Sequence, residues 1–506
     1  MLGVLPDISK IPVNGYKKRK EIYLMKRHNR RDFLKAIGIG TASLTLPSGI
    51  NAQQVAVKAA RPNILWILSE DISPELSCYG TPAVQTPNLD KLAAQGIRFT
   101  NAYTTGPVCS ASRSAMITGM YQTSIGAHNH RSHRDDSYTL PEPVRLITEY
   151  FRQARYFTAN VKTAAPGVRG SGKTDFNFKF SNAFDGSDWN QRPSGQPFFA
   201  QLSISMTHRG GHWKGLDKKL DNPVDPAKVK LPPYYPDHPI ARQDWATYLN
   251  SIQMMDQYVG KILKRLDDED LANNTIVIFI GDHGRCHVRG KQWLYDGGIH
   301  IPLIIRWPGM LKAGQVCENL VSAIDISATA LKIAGVKPPK HIEGKVFLAP
   351  DTWGLKGTWK PVNKRDYIIA ARDRCDETID RIRCVRTKQY KYIRNFMPER
   401  PYTQANAYKE RSYPMLNLMK ELHAEGKLTP VQALFMAPRK PDEELYDIQK
   451  DPYEIRNLVS SPKHQQILKK MRVILNKWVK DTSDMGQFPE KRSSITPRDR
   501  KRIYGE

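Results

Sequence analysis

Unbroken apolar runs recur along this chain where alternating runs would mark half-exposed strands. Asn63–Ser69 (NILWILS) reads as a strand buried on both faces of a parallel sheet, and Pro197–Ser205 and Thr275–Gly281 have the same character. Ile97–Thr100, Tyr156–Val161 and Leu303–Trp307 predict further strands. Thr86-Pro87-Asn88 opens a helix through Leu89, Leu92 and Ala93 that Gly96 closes. From Asp244 to about Leu266, the residues Leu249, Ile252, Met255, Val259, Ile262, Leu263 and Leu266 fall at three- and four-residue steps. That spacing predicts an amphipathic helix on the sheet, with Met254 and Met255 as core material. A chain of 506 residues with this pattern implies a large α/β core, residues 53–360, and a smaller α+β C-terminal subdomain, residues 361–506. The second begins where composition turns polar after Pro361, and Asp366–Ala371 reads as one of its strands.

Candidate chemistry falls at the ends of these runs. Glu70 and Asp71 follow the first strand, His208 the strand at 197–205, and Asp282 and His283 the strand at 275–281. Open α/β sheets place their sites at such C-terminal strand ends, and hard oxygen ligands suit Ca²⁺ or Mg²⁺. A Gly106-Pro107 turn leads into Cys109, which begins a predicted helix through Ile117, with Arg113 one turn on. That position either lowers a thiol pKa or holds an anion; a buried Cys capping a helix is the plainer reading. Gly170–Asp175 has the glycines and lysine of a phosphate cradle without the Walker spacing. His128, His130 and His133 lie in one loop, either a transition-metal site or a polar, substrate-facing loop. Residues 372–383 are dense in alternating charge, read as a solvated hairpin with mutual ion pairs or as a sugar subsite. Six cysteines show no regular framework, and Cys375 and Cys384 could bridge or remain two partly buried thiols.

Charge narrows the partner. The net charge is +27; residues 1–52 hold 10 Lys and Arg against 3 Asp and Glu, leaving 67 against 47, a net +20, for the rest. No nucleic-acid motif accompanies this basic body, and its Lys and Arg are spread along the chain, so a polyanionic polysaccharide ranks first and nucleic acid is not expected. Arg30 and Arg31, within Lys26–Lys35, precede an apolar run from Ala36 to about Leu46. This reads as a twin-arginine export signal with cleavage near Ala52, destined for the periplasm or secretion through the twin-arginine machinery. The run is too short for a stable membrane anchor, and Met25 is an alternative start.

Cys109-Ser110-Ala111-Ser112-Arg113 resembles the maturation motif of the formylglycine sulfatases, Cys-X-Pro/Ala-Ser/Thr-Arg, whose Cys a maturase oxidises to an aldehyde. The resemblance spans roughly Arg61 to Val479 and implies an alkaline-phosphatase-like fold: a large, mostly parallel sheet sandwiched by helices. It implies formylglycine at 109 as nucleophile, and a Ca²⁺ or Mg²⁺ ion held by Glu70, Asp71, Asp282 and His283 together with residue 109. Arg113, Lys173 and Lys291 would face the sulfuryl oxygens, and His208 would protonate the leaving sugar oxygen. Glu70 stands where the family has Asp, Asp175 where it has His, and Asp296 and His300 where it has Glu and Arg. His300 is expected to compensate for the imidazole missing at Asp175. The implied activity is an exported sulfatase acting on a sulfated polysaccharide or its oligosaccharides, ulvan among them. A phosphodiester or phosphonate hydrolase and a non-catalytic polyanion-binding homologue are the alternatives.

Overall fold

The computed structural model describes residues 61–352 and 357–505. Seven strands build the central sheet: β1 Asn63–Ser69, β2 Ile97–Tyr103, β3 Phe157–Asn160, β4 Phe198–Ile204, β5 Thr275–Gly281, β6 His300–Arg306 and β7 Gln315–Ser322. Their order is β3-β4-β1-β5-β6-β2-β7. β1 pairs in parallel with β4 and β5, β3 with β4, and β2 with β7, while β6 runs antiparallel to both its neighbours. Six strands therefore share one direction, as the unbroken apolar runs predict. β6 runs against the others, reached from β5 through residues 282–299, which include the short helix Asp296–Ile299.

Both faces of the sheet are covered. On one face Leu65, Ile67, Val277 and Phe279 pack with Leu249, Ile252, Met255 and Val259. These last four belong to the long helix Pro239–Asp268. It starts five residues before the predicted position because Pro239 suits the first helical turn and His238 Nδ1 accepts the Ile240 N–H at 3.2 Å. On the other face Ile64, Trp66, Leu68 and Ile278 pack with Met116, Ile117, Ile326 and Leu331. These belong to helices Cys109–Thr118 and Ala323–Ile333. We label Pro87–Ala94 α1, Cys109–Thr118 α2, Pro239–Asp268 α3 and Ala323–Ile333 α4. Every residue of α2 is buried. Its small side chains let the helix lie deep, and its hydroxyls find partners: Ser112 Oγ donates to Asp282 O at 2.5 Å and Ser114 Oγ accepts the Asn177 N–H at 2.9 Å.

The C-terminal subdomain is an antiparallel sheet of β8 Ile368–Arg372, β9 Ile382–Arg386, β10 Tyr390–Asn395 and β11 Glu443–Asp447, in that order. Ile369, Val385, Tyr392 and Leu445 pack on Leu468, Met471, Leu475 and Trp478 of helix Gln465–Asp481. The sheet docks on the loop before Cys109: the Ala371 N–H donates to Thr105 O at 2.9 Å, and Gln122 Nε2 donates to both Thr105 O and Ala371 O.

One expectation for this region is corrected and one alternative is settled. The charge-dense stretch is neither a solvated hairpin nor a free sugar subsite. Arg372 is buried on Asp380 at 2.9 Å, Arg383 on Asp484 at 2.8 Å and Asp373 at 3.0 Å, and Arg374 on Glu490 at 2.5 Å. Charges this far from water persist only when paired. Of the two readings of Cys375 and Cys384, free thiols rather than a bridge hold; both are fully buried, and burial pushes them up to about 11 and about 12. The twin-arginine segment lies outside the described residues, among which no helix is long and apolar enough to cross a membrane.

Candidate active site

Three parallel strand ends and one helix start converge on Cys109. β1 delivers Glu70 and Asp71, β4 leads to His208, and β5 to Asp282 and His283. They emerge side by side because Ser69 is in register with both Ile204 and Gly281. Cys109 is the first residue of α2 and is 1% exposed. Its Sγ lies 3.2 Å from His283 Nε2, 3.6 Å from Lys291 Nζ and 3.7 Å from Asp71 Oδ1.

Asp71 is the hub. Its backbone is held in the left-handed region, φ 52°, a conformation costing about 1–3 kcal/mol that surrounding bonds must enforce. Its N–H donates to Asp282 Oδ1 at 3.0 Å, and Lys291 Nζ donates to its two oxygens at 3.0 and 2.8 Å. Burial alone would raise the Asp71 carboxyl; Lys291, His208 and His283 outweigh it and hold the group well below the usual carboxylate range. Lys291 is driven the other way, since Asp71 and Cys109 overcome its burial and keep it charged.

Arg113, fully buried, ties the strand ends together. Its Nε lies 3.2 Å from Asp282 Oδ2, its Nη1 2.9 Å from Ser203 Oγ and 3.3 Å from Lys173 O, and its Nη2 3.8 Å from Glu70 Oε1. That Nη2 has no hydrogen-bond acceptor among the described residues, an unused donor inside the site. Lys173 Nζ donates to Glu70 Oε2 at 2.8 Å. His208 Nε2 stands 4.0 Å from Asp71 Oδ2, with a side chain 27% exposed, the most accessible of the predicted residues. Asp71 favours a proton on His208, but burial and the Lys291 cation hold the imidazole below its ordinary value.

The donor atoms lie close enough together to share one metal ion. Ligand atoms of Asp71, Cys109 and His283 lie within 4.8 Å of one another, as do those of Glu70, Cys109 and His208. His283 Nδ1 faces Gly284 O at 3.0 Å, which turns Nε2 toward Asp71 Oδ1 at 3.0 Å and Cys109. Burial opposes a proton on that ring, yet Asp282, Cys109 and Asp71 raise it to about 10, so positive charge is demanded at the point where these donors meet.

Glu70, Asp71, Cys109, Arg113, Lys173, His208, Asp282, His283 and Lys291 therefore all reach the cluster. His300 does not: it stacks on Tyr103 at 4.9 Å, its Nε2 lies 2.9 Å from Thr100 O, and it lines a separate cavity with Asp296 and Arg386. The expected compensation is absent, and Asp175 is instead held by Arg134 at 2.7 Å. Nor do the loop histidines converge on a metal site, since His130 pairs with Asp376 at 2.9 Å and His133 with Asp136 at 2.7 Å. Sequence reading missed Ser203, inside β4, and Tyr408, whose ring lies 5.6 Å from Lys291 Nζ and 6.2 Å from the His208 ring. Neither carries a motif. Tyr408 comes from a helix in the C-terminal part, Ala407–Ser412, far away in sequence.

Fold and site together define a sulfatase: the sulfatase family model matches residues 62–336, and one for the C-terminal part of N-sulphoglucosamine sulphohydrolase matches residues 281–436. The chain belongs to this family, which makes it a sulfuric ester hydrolase. It is 35% identical over 479 residues to an ulvan-active sulfatase of Formosa agariphila, covering 85% of this chain and 76% of that protein. Human N-sulphoglucosamine sulphohydrolase is 27% identical over 480 residues, covering 84% and 91%. Among solved structures, a protein in complex with its substrate D-glucosamine-2-N,6-O-disulfate superposes with a TM-score of 0.58 at 18% identity, covering 84% of this chain and 98% of the other. A phosphonate monoester hydrolase of Silicibacter pomeroyi does so with 0.55 at 19%, covering 84% and 96%.

Proposed function

We propose that this sulfatase removes sulfate from a sulfated polysaccharide or its oligosaccharides, outside the cytoplasm, using a formylglycine made from Cys109 by a maturase and a bound Ca²⁺ or Mg²⁺. The observation that carries the reading is the convergence of Asp71, His283 and Lys291 within 3.7 Å of the Cys109 sulfur at a helix N-terminus. The basic body and the ulvan-active relative support a sulfated, uronate-bearing glycan as substrate. The Arg30-Arg31 pair and the apolar run after it support export by the twin-arginine route.

Asp71, Asp282, His283 and Glu70 would hold the cation, which polarises the sulfuryl oxygens, while the hydrated aldehyde at 109 supplies the nucleophile. Lys291, Lys173 and the unused Arg113 Nη2 offset the charge that builds on those oxygens. His208, at the accessible side, donates a proton to the departing sugar oxygen. An arriving sulfate ester brings negative charge beside it and favours its imidazolium form.

The test is sulfate release from a panel of sulfated polysaccharides and oligosaccharides, with enzyme co-expressed with a maturase and Cys109→Ala as control. Release by the wild type alone is expected, with the variant folded; equal release by Cys109→Ala overturns the mechanism. Phosphonate and phosphodiester substrates are run beside them, since the phosphonate hydrolase neighbour shares the fold.

A further inference from the structure

The rim of the site carries a cation whose counter-ion is shared with two others. Arg131 and Arg134, in the loop after α2, meet Asp175 on the segment that also bears Lys173. Arg134 Nη2 lies 2.7 Å from Asp175 Oδ1. Lys173 Nζ, already 2.8 Å from Glu70, lies 3.6 Å from Asp175 Oδ2. Arg131 Nε stands 3.9 Å from the same Oδ1, and its guanidinium makes no hydrogen bond among the described residues. Three cations thus share one carboxylate, and the surplus falls on Arg131, whose side chain is 38% exposed against 10% for Asp175.

The position is built, not incidental. Arg131 and Asp175 both hold left-handed backbones, φ 55° and 56°, which non-glycine residues keep only where their surroundings enforce them. The Arg131 N–H donates to Ser110 Oγ at 2.9 Å, so the arginine is anchored to the residue following Cys109, and its charge acts on Cys109. On either side, the His130 N–H donates to Arg374 O and the His133 N–H to Ser494 O, both at 2.9 Å. A guanidinium carried on a backbone anchored next to Cys109, held only by a long ion pair to a shared Asp175, keeps its forked donors for a planar or tetrahedral anion bound in bidentate fashion.

We infer that Arg131 binds a second anionic group of the substrate, a carboxylate or a further sulfate on the sugar that bears or adjoins the scissile ester, with Arg134 and Asp175 as positioning residues. This rests on the polysaccharide reading above and extends it from the sulfate to its neighbour. It predicts selectivity for dianionic stretches of the glycan.

The test compares kcat/KM for four substrates: a sulfated oligosaccharide with an adjoining uronate, the same compound with its carboxyl reduced to the alcohol, a disulfated oligosaccharide without uronate, and an aryl sulfate. The wild type is expected to prefer a dianionic substrate over the carboxyl-reduced one by roughly ten- to a hundredfold, and the substrate preferred identifies carboxylate or sulfate. Arg131→Gln is expected to shrink that preference to within about threefold, and Arg131→Lys, which keeps the charge without the fork, to retain part of it. No preference in the wild type, or a preference untouched by Arg131→Gln, overturns the inference. Should the wild type release sulfate from none of the four, the polysaccharide reading fails on its own. Calorimetric binding of the same oligosaccharides then decides the subsite: about tenfold weaker binding of the dianionic ones by Arg131→Gln supports it, and equal affinity overturns it.

Discussion

Replacing Lys291 by methionine separates what this residue does for the fold from what it does for the reaction. Methionine has similar length and no charge. The ammonium it removes lies 2.8 and 3.0 Å from the oxygens of Asp71 and 3.6 Å from Cys109 Sγ, with a side chain 5% exposed. Breaking a buried pair costs about 3–5 kcal/mol, and the lower figure applies here because His283 remains 3.0 Å from Asp71. On the proposed mechanism, a divalent cation on Asp71 would replace that lost charge but not a donor aimed at a sulfuryl oxygen. Loss of one such preorganised donor lowers kcat by about 10²–10³, equivalent to about 2.7–4 kcal/mol. The expected outcome in matured enzyme is a depressed melting temperature that saturating Ca²⁺ largely restores, beside a kcat that stays low at every Ca²⁺ concentration. Thermal melts and sulfate-release kinetics over one Ca²⁺ titration read both. A kcat within about threefold of wild type at saturating Ca²⁺ would refute the assignment and leave Lys291 a structural counter-ion.

Three further outcomes can be checked directly. His208→Gln is expected to lose about 10²–10⁴ in kcat on sugar sulfates and far less on an aryl sulfate, whose leaving group needs no proton; equal losses on both would remove His208 as the acid. Arg383→Met leaves Asp373 buried without its cation and Asp484 with only Arg381 at 3.5 Å, and should destabilise the protein by about 3–5 kcal/mol in urea unfolding, a reading contradicted by a change below about 1 kcal/mol. Glu343 accepts the Tyr121 N–H and the Ser124 hydroxyl where the chain leaves α2, and burial raises its carboxyl to about 7. A raised folded-state pKa means the protonated form is favoured by folding. Stability should therefore fall as pH rises from about 4.5 to about 7, by at most about 3 kcal/mol, and Glu343→Gln should flatten that slope; parallel pH–stability curves for the two proteins would contradict it.

The sequence was most legible where burial is symmetrical. β1, β4 and β5 are buried along their whole length, so their apolar runs had no second reading, and the chemistry sits on the residues just beyond them. β7 escaped notice because it is an edge strand paired only with β2, with Val316 54% exposed, so its pattern is broken. The charged stretch 372–383 was misread for a different reason. Two of its counter-ions, Asp373 and Asp380, lie within it, but Asp484 and Glu490 lie about a hundred residues downstream, and nothing local distinguishes a charge awaiting a distant partner from one facing water. Arg131 and Tyr408 were invisible on the same account, since their meaning lies in which loops the fold brings to Cys109.

The departure at Glu70 becomes intelligible through charge. Each strand-end carboxylate has a fixed cation of its own: Glu70 has Lys173 at 2.8 Å, Asp71 has Lys291 at 2.8 Å and Asp282 has Arg113 at 3.2 Å. These three acids and three bases neutralise one another. A divalent cation drawn to the carboxylates would weaken all three pairings together, leaving two lysines and an arginine in excess around Cys109, where a sulfate ester needs them. An anion bound to those cations would in turn strengthen the carboxylates' hold on the metal. Metal and sulfate ester should therefore bind with positive coupling, equal in both directions, as linkage requires. The longer Glu70 fits this arrangement because its carboxylate spans Lys173 and Arg113, joining the base carried by the Ser171–Asp175 segment to the one carried by α2.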